Sequence, residues 1–234
     1  MSLHELVNGN LRFKQLKFAK HQDYLQDIAT NGVTKPLAVI TCIDPRLNLN
    51  WITSQRPGLL SPFSTLGGII PSHGRHSLSQ DAYLQYAIER FNVDHIAVVG
   101  HLDCALVKAL LQPRKALASL KTVRRWSDLA RDTRQTVAAN FSHLEGEELV
   151  RRAVQAHTLL QVEHLMTYPL VQSAVAAGRL QVHPMIYDIA HADLFEYSNA
   201  TEKFELLSHK YAEDVLAEVV ATCHDAVCTA HSHV

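Results

Sequence analysis

The sequence lacks any hydrophobic run near the roughly 20 apolar residues that a membrane-spanning helix needs. It also has little net charge, because 22 Lys and Arg against 23 Asp and Glu leave −1 at neutral pH. This balance gives no electrostatic reason to expect nucleic acid or an anionic membrane as a partner. Residues 1–5 lack the basic and then apolar segments of a secretory signal, so we expect a cytoplasmic location.

Cysteine is scarce, with 4 residues in a chain of 234. Cys42 and Cys104 lie inside two short motifs, and in a reducing compartment such a pair indicates metal binding better than a disulfide. The other cysteines lie near the end, in a tail whose spacing matches no common zinc pattern, and we expect no second metal there. The candidate ligands of the tail are Cys223, Cys228, His231 and His233.

The remaining composition is that of a globular protein, with 47 % hydrophobic and 19 % charged residues. No internal repeat, low-complexity segment or linker divides the chain, so we predict a single domain over residues 1–234.

Short apolar runs alternate with helical patterns, which is typical of a mostly parallel β-sheet core flanked by helices, an α/β fold. A third strand at 180–188 contains Pro184, which favours a less central position in the sheet. Residues 3–29 have a helical period and predict an N-terminal helical arm that packs on its own domain or on a partner subunit. The other predicted strands are 36–41, 94–100 and one that breaks into a glycine loop within 62–71.

The other predicted helices cover 77–90, 101–111, most of 115–166, and 168–178. Ser77 is the predicted N-cap of the first of these. The last predicted helix is 193–220, after a possible strand at 194–197.

Two short motifs follow the first two complete strands: Thr41–Arg46 and Gly100–Cys104. A strand–helix–strand crossover brings the carboxyl ends of parallel strands to one sheet edge, where open α/β sheets bind ligands. Thiols, an imidazole and a carboxylate suit a tetrahedral zinc site. The competing interpretation, buried apolar thiols, is weaker because the two motifs occur together.

The predicted metal ligands are Cys42, His101 and Cys104, with Asp44 or water at the fourth position. His101 and Cys104 would share one helix face if a helix began at His101, and the helix start would favour Cys104 as the thiolate. Water on zinc has its pKa lowered to about 7, which yields a hydroxide nucleophile.

Asp44 is the predicted switch of this site. Bound to zinc it would exclude water, whereas turned away it would form a bidentate contact with Arg46 and orient the hydroxide. Asp44 and Arg46 are therefore the predicted catalytic residues. Asp103, a rival carboxylate, is expected to act as a cap or a supporting group.

These residues resemble the β-class carbonic anhydrases over most of the chain. The resemblance implies a parallel-cored sheet, an obligate dimer with active sites near its interface, and one zinc on Cys42, His101 and Cys104. It also implies an Asp44–Arg46 dyad and hydration of CO₂ to bicarbonate and a proton. The matching segments are Leu6–Phe13, Cys42–Arg46 (C-x-D-S-R in the family), Tyr86–Ile88, Asp94–Cys104 (G-H-x-x-C) and Leu180–Ile189 (V-H-G-x-x-Y-D-I).

The metal motif departs from the family at two places. Pro45 replaces the usual Ser and removes an N–H donor from the turn. Ala105 and Leu106 stand after the last cysteine, where the family usually has Gly.

The substrate pocket departs further. Residues 63–68 lack the Arg and Asn of the family's V-R-N-A-G-N, Ser61 stands at the Phe position, and no Gln precedes Pro36. Tyr86 matches the family's pocket Tyr, and we predict that Tyr86, Gly67 and Gly68 bind substrate.

Two alternatives to CO₂ hydration remain open from the sequence. One is a hydrolase of carbonyl sulfide or carbon disulfide that uses the same zinc chemistry. The other is a non-catalytic zinc-bearing dimer in which Asp44 stays on the metal. The predicted assembly is a homodimer or a dimer of dimers, without nucleic acid or membrane.

Overall fold

A six-stranded sheet runs through the part of the chain that the computed structural model describes, residues 1–75 and 78–207. The spatial order is β2-β1-β3-β4-β5-β6. The first four strands are parallel and the last two are antiparallel, which confirms the mostly parallel sheet. The strands are β1 Leu37–Cys42, β2 Leu60–Thr65, β3 His95–His101, β4 Gln181–Asp188, β5 Asp193–Ser198 and β6 Lys203–Leu206.

Helices fill most of the intervening chain, and the predicted helices at 3–29 and 77–90 are confirmed within the described residues, with Ser77 lying outside them. A π-helical turn at Lys14–Phe18 joins the first two helices, and another at Tyr86–Arg90 extends the fourth. None of the described helices is long and apolar enough to cross a membrane. The helices are α1 Leu3–Phe13, α2 Ala19–Asn31, α3 Leu49–Ile52, α4 Leu78–Gln85, α5 Ala105–Leu111, α6 Lys121–Ser127, α7 Arg131–Asn140, α8 Gly146–Leu165 and α9 Pro169–Ala176.

The central strands are buried on both faces, as their continuous apolar runs require. Ile40 and Val98 face the large core formed with α4, α8 and α9. Their strand neighbours Val39 and Val99 face a smaller cluster on the opposite side, which includes Leu49 of α3. This alternation follows from the two-residue period of a strand.

The N-terminal arm consists of α1, the π-helical turn and α2, and none of its residues is buried. Its second half is attached to the domain, because the Tyr24 hydroxyl donates to the Pro57 carbonyl at 2.6 Å and Arg56 stacks on the Tyr24 ring. The first half presents apolar side chains to solvent, with Leu3 77 % and Leu6 55 % exposed. The described part of its own domain therefore leaves this apolar face uncovered.

Three predictions about secondary structure are wrong. His101 ends β3, and α5 starts only at Ala105, because the turn at Asp103 has φ +65° and breaks any helix there. The possible strand at 194–197 is confirmed as β5, but the helix predicted to follow it is replaced by β6 within the described residues, since short alternating runs pair as a hairpin. The part of the predicted helix from residue 208 to 220 lies outside the described residues, as does the cysteine-containing tail.

The third error concerns β4, which lies in the sheet interior between β3 and β5. Pro184 pairs with Val98 on β3, but the ladder with β5 begins only at Met185. Pro184 therefore lies in the half of β4 that has one neighbouring strand, where a missing N–H is tolerated.

Gly100 lets α8 pack directly on β3, and we expect Gly100→Ala to cost about 1–3 kcal/mol of unfolding free energy by overpacking. A Cβ there would collide with Oγ1 of Thr158. Adding Thr158→Ala removes the colliding atom, so the double variant should recover part of that loss. Urea unfolding of both single variants and the double variant measures this coupling, and purely additive costs would contradict it.

Candidate metal centre

The chain leaves β1 toward one side of the sheet and leaves β3 toward the other, because β2 adjoins β1 and β4 adjoins β3. Such a switch point opens a crevice at the carboxyl ends of the strands. The last residues of the two strands, Cys42 and His101, lie at this crevice. The Leu102 amide donates to the Tyr187 carbonyl at 2.9 Å, which fixes the turn that follows His101.

Cys42, His101 and Cys104 come together there, with one ligand atom of each lying within 4.8 Å of the others. All three are buried, at 7 %, 1 % and 2 % exposure. His101 lies at the end of β3 and Cys104 at the N-cap of α5. The prediction that the two residues share one helix face is therefore wrong.

The imidazole of His101 tests whether this cluster fits a metal ion. Its Nδ1 lies 3.0 Å from the Leu102 carbonyl, so Nδ1 carries the proton and donates, while Nε2 keeps a lone pair. Nε2 is buried and has no hydrogen-bond partner among the described residues. A buried unpaired acceptor is costly unless a ligand satisfies it. One nitrogen and two sulfurs then form a three-ligand zinc set with an open fourth position, and the residues fit the ion.

The two thiols share one hydrogen bond, which separates their acidities. The contact with the Cys104 thiol lowers the pKa of Cys42 to about 4 despite burial, and His101 and the backbone of Asp44 and Gly67 act in the same direction. The Cys42 sulfur and burial together raise the pKa of Cys104. The shared contact therefore favours one thiolate and one thiol in the metal-free chain.

Asp44 is turned away from the three ligands and holds Arg46. Arg46 Nε and Nη2 donate to the two carboxylate oxygens at 2.9 and 2.8 Å, and the Arg46 amide adds a third bond at 3.0 Å. These bonds, the side-chain contact first, hold the pKa of Asp44 well below its usual range despite its desolvation. Asp44 Oδ2 lies 3.9 Å from His101 Nε2, so an ionised carboxylate adjoins the ligand cluster.

Pro45 fits this turn without strain. The Leu47 amide donates to the Asp44 carbonyl at 2.9 Å, which places Pro45 at the second position of a β-turn, where proline is favoured and its missing N–H has no role.

Asp103 is a supporting group, as expected, although it lies on a turn instead of a helix. It accepts bonds from Lys108 and, at 3.4 Å, from Arg46 Nη1. It therefore holds the outer side of the Arg46 guanidinium.

The segment Leu66–Ile70, hereafter the glycine turn, packs beside Cys42. Gly67 has φ +75°, and a Cβ there would collide with the Leu106 side chain. A Cβ on Gly68 would lie 3.5 Å from the backbone of Thr41. The turn can approach β1 and α5 this closely only with glycine.

Tyr86 lies apart from this cluster within its own chain. Its carbonyl accepts from the Phe91 amide at 3.0 Å, and the Phe91 carbonyl accepts from Lys35 just before β1. These contacts place Tyr86 near the amino ends of the strands, opposite the metal centre, with 54 % of its surface exposed.

Sequence reasoning missed the side chains of α8 that hold the glycine turn. His157, Gln161 and His164 lie one or two helical turns apart on one face of α8 and bond backbone groups at 67–70. These polar residues recur at helical spacing on an otherwise apolar helix face, and that pattern could have identified them from the sequence.

A family model for carbonic anhydrase matches residues 37–194. A carbonic anhydrase of Synechocystis is 31 % identical over 202 residues, covering 86 % of this chain and 73 % of that protein. One from Pseudomonas aeruginosa is 28 % identical over 208 residues, covering 88 % and 92 %.

Solved structures agree with these relatives. The β-carbonic anhydrase CcaA superposes with a TM-score of 0.84 at 31 % identity, over 87 % of this chain and 98 % of that one. CafA of Aspergillus fumigatus reaches 0.75 at 24 % identity, over 86 % and 92 %, which shows the shared fold. The chain belongs to the β-carbonic anhydrase family.

Replacing Arg46 with Met should raise the pKa of Asp44 toward its ordinary value, because its hydrogen-bonding and charge partner is lost. In the wild type, a depressed pKa means that Asp44 stabilises the fold above about pH 4 and that this contribution is lost as the pH falls. The variant should therefore protonate Asp44 at higher pH, as ¹³C NMR of the carboxyl measures in metal-free protein.

The control is Arg56→Met, which removes an arginine stacked on Tyr24, away from Asp44. An unchanged Asp44 titration in Arg46→Met would show that the ion pair does not set its protonation.

Proposed function

We propose that the chain hydrates CO₂ to bicarbonate and a proton, with one zinc per chain on Cys42, His101 and Cys104. The observation that carries this proposal is the ionised Asp44 carboxylate, paired with Arg46, 3.9 Å from the unpartnered nitrogen of His101. When bound, zinc supplies Lewis acidity that lowers the pKa of water to about 7.

Asp44 and Arg46 are the proposed catalytic pair. The guanidinium holds the carboxylate ionised and fixed, so Asp44 accepts a hydrogen bond from the attacking water and aims its lone pair at carbon. Asp103 and Lys108 restrain Arg46 from outside.

Both Asp44 oxygens are engaged by Arg46, and this supports an open fourth position over one filled by Asp44. It favours catalysis over the alternative of a permanently closed structural zinc. The two reduced thiols that zinc needs also support a cytoplasmic location.

Gly67, Gly68 and Tyr86 remain proposed substrate-side residues. The glycine turn lies beside Cys42 and offers backbone close to the crevice. Tyr86 lies at the other end of its own sheet, so it can act at a metal centre only if a second subunit brings it there.

We further propose that the chain assembles as a homodimer or a dimer of dimers through its N-terminal arm. The support is the uncovered apolar face of α1, where each leucine buried by a partner would contribute about 1.5–3 kcal/mol. A second copy of the chain presents the same face, as a two-fold interface requires.

Stopped-flow CO₂ hydration by zinc-loaded protein should give a rate that increases with pH through about 7. Cys42→Ser should reduce the rate at least about 100-fold and lower bound zinc. The same substitution at Cys223, in the tail, is the matched control and should change neither quantity. One zinc per chain with no Cys42-dependent rate would exclude CO₂ as the substrate.

The double variant Leu6→Asp and Leu11→Asp should dissociate the assembly toward the 26.2 kDa chain in sedimentation equilibrium. Charges on the apolar face of α1 oppose its burial. Asn8→Asp with Arg12→Gln changes net charge by the same amount on the polar side and should leave the assembly intact. Loss of assembly in both would indicate general repulsion instead of an interface at the apolar face.

A further inference from the structure

The glycine turn beside Cys42 has its backbone bonded by side chains from other elements. Trp126 Nε1 donates to the Leu66 carbonyl at 2.8 Å, and Thr65 Oγ1 donates to the Ile69 carbonyl at 2.9 Å. Three residues of α8 hold the rest of the turn, at Gly67 and Ile70. Such a segment cannot shift without breaking several buried hydrogen bonds.

His157 makes the bond closest to the metal centre. Its Nε2 lies 2.9 Å from the Gly67 carbonyl, so Nε2 carries a proton and donates. Its Nδ1 then accepts from the Thr133 hydroxyl at 2.9 Å, which fixes this tautomer. Complete burial lowers the pKa of His157 and keeps the ring neutral, in agreement with these partners.

Gln161 and His164 hold the far end of the turn. Gln161 Oε1 accepts from the Ile70 amide at 2.8 Å, and His164 Nδ1 donates to the Ile70 carbonyl at 2.7 Å. The other nitrogen of His164 faces Asp132 at 2.5 Å, and that contact raises the pKa of His164. Both ring nitrogens thus face acceptors, which favours the protonated form of His164.

The near end of the turn lies against the end of β1. A Cβ on Gly68 would lie 3.6 Å from the backbone nitrogen of Cys42, so the turn packs on the backbone that carries this ligand. Packing against Leu106 on one side and Thr41 on the other leaves the turn no room to shift. The carbonyl of Gly67, in the same turn, is the group that His157 holds.

We propose that His157 is a positioning residue of the metal centre: by holding the Gly67 carbonyl, it keeps the glycine turn against the end of β1 that carries Cys42. Supporting contacts that orient a metal ligand usually change metal affinity 10–100-fold when lost. The inference rests on the proposed metal site and does not depend on the substrate.

The test compares His157→Leu with His157→Gln. Leucine fills similar space but cannot donate, whereas the glutamine amide can still donate to the Gly67 carbonyl. We expect His157→Leu to release zinc to a chelator about 10–100-fold faster than wild type and to shift the sulfur-to-metal charge-transfer band of the Co²⁺ protein. His157→Gln should restore both to near wild type.

Leu165→Ala is the control for loss of stability alone, because Leu165 is fully buried on α8 in the large core and its side chain has no polar atom to bond the turn. If His157→Leu does not fold, Thr133→Val removes only the bond that fixes the His157 tautomer and should give a smaller change in the same direction.

Equal zinc loss in Leu165→Ala, or an unchanged Co²⁺ band in His157→Leu, would overturn the proposal. A wild-type Co²⁺ protein without a sulfur-to-metal band would instead refute the metal site itself, so the two failures are distinguishable.

Discussion

The parallel pairing of β1 with β3 is the constraint on which the metal centre depends. Thr41 lies opposite Val99 in this ladder and its hydroxyl donates to the Val99 carbonyl at 2.8 Å, which fixes the register at the ends of both strands. A slip of one residue would turn Cys42 to the opposite face of the sheet. Both faces of the two strands are packed, so that slip would also place the side chains of each strand in the wrong one of two cores.

The fold and the ligand set could be predicted because their signals are local. An apolar run rich in β-branched residues, followed at once by a polar motif, identifies both the strand and the site at its end. Cys42, His101 and Cys104 each lie at or just after such a strand end, which is why the sequence predicts them as ligands. The structure brings them together. The Asp44–Arg46 contact is also local, since two residues separate its partners.

What the sequence could not provide depends on contacts between distant segments or on backbone angles. The positive φ of Asp103 ends β3 after His101, and no residue-type pattern indicates a left-handed aspartate. Pro184 is compatible with an interior strand only because the ladder to β5 starts one residue later. The roles of His157 and His164 depend on where α8 crosses the sheet, which helical periodicity alone does not determine.

The bond between His157 and Gly67 joins residues ninety positions apart in the chain. The wall beside Cys42 therefore does not exist until α8 has docked on the sheet, even though the strands that carry the ligands come earlier in the sequence. During synthesis, a ribosome-bound chain that has emerged only as far as α5 already exposes both cysteines and His101 without this wall. With His157 in its proposed role, tight metal capture follows the docking of α8, and a loaded zinc reports that α8 has docked.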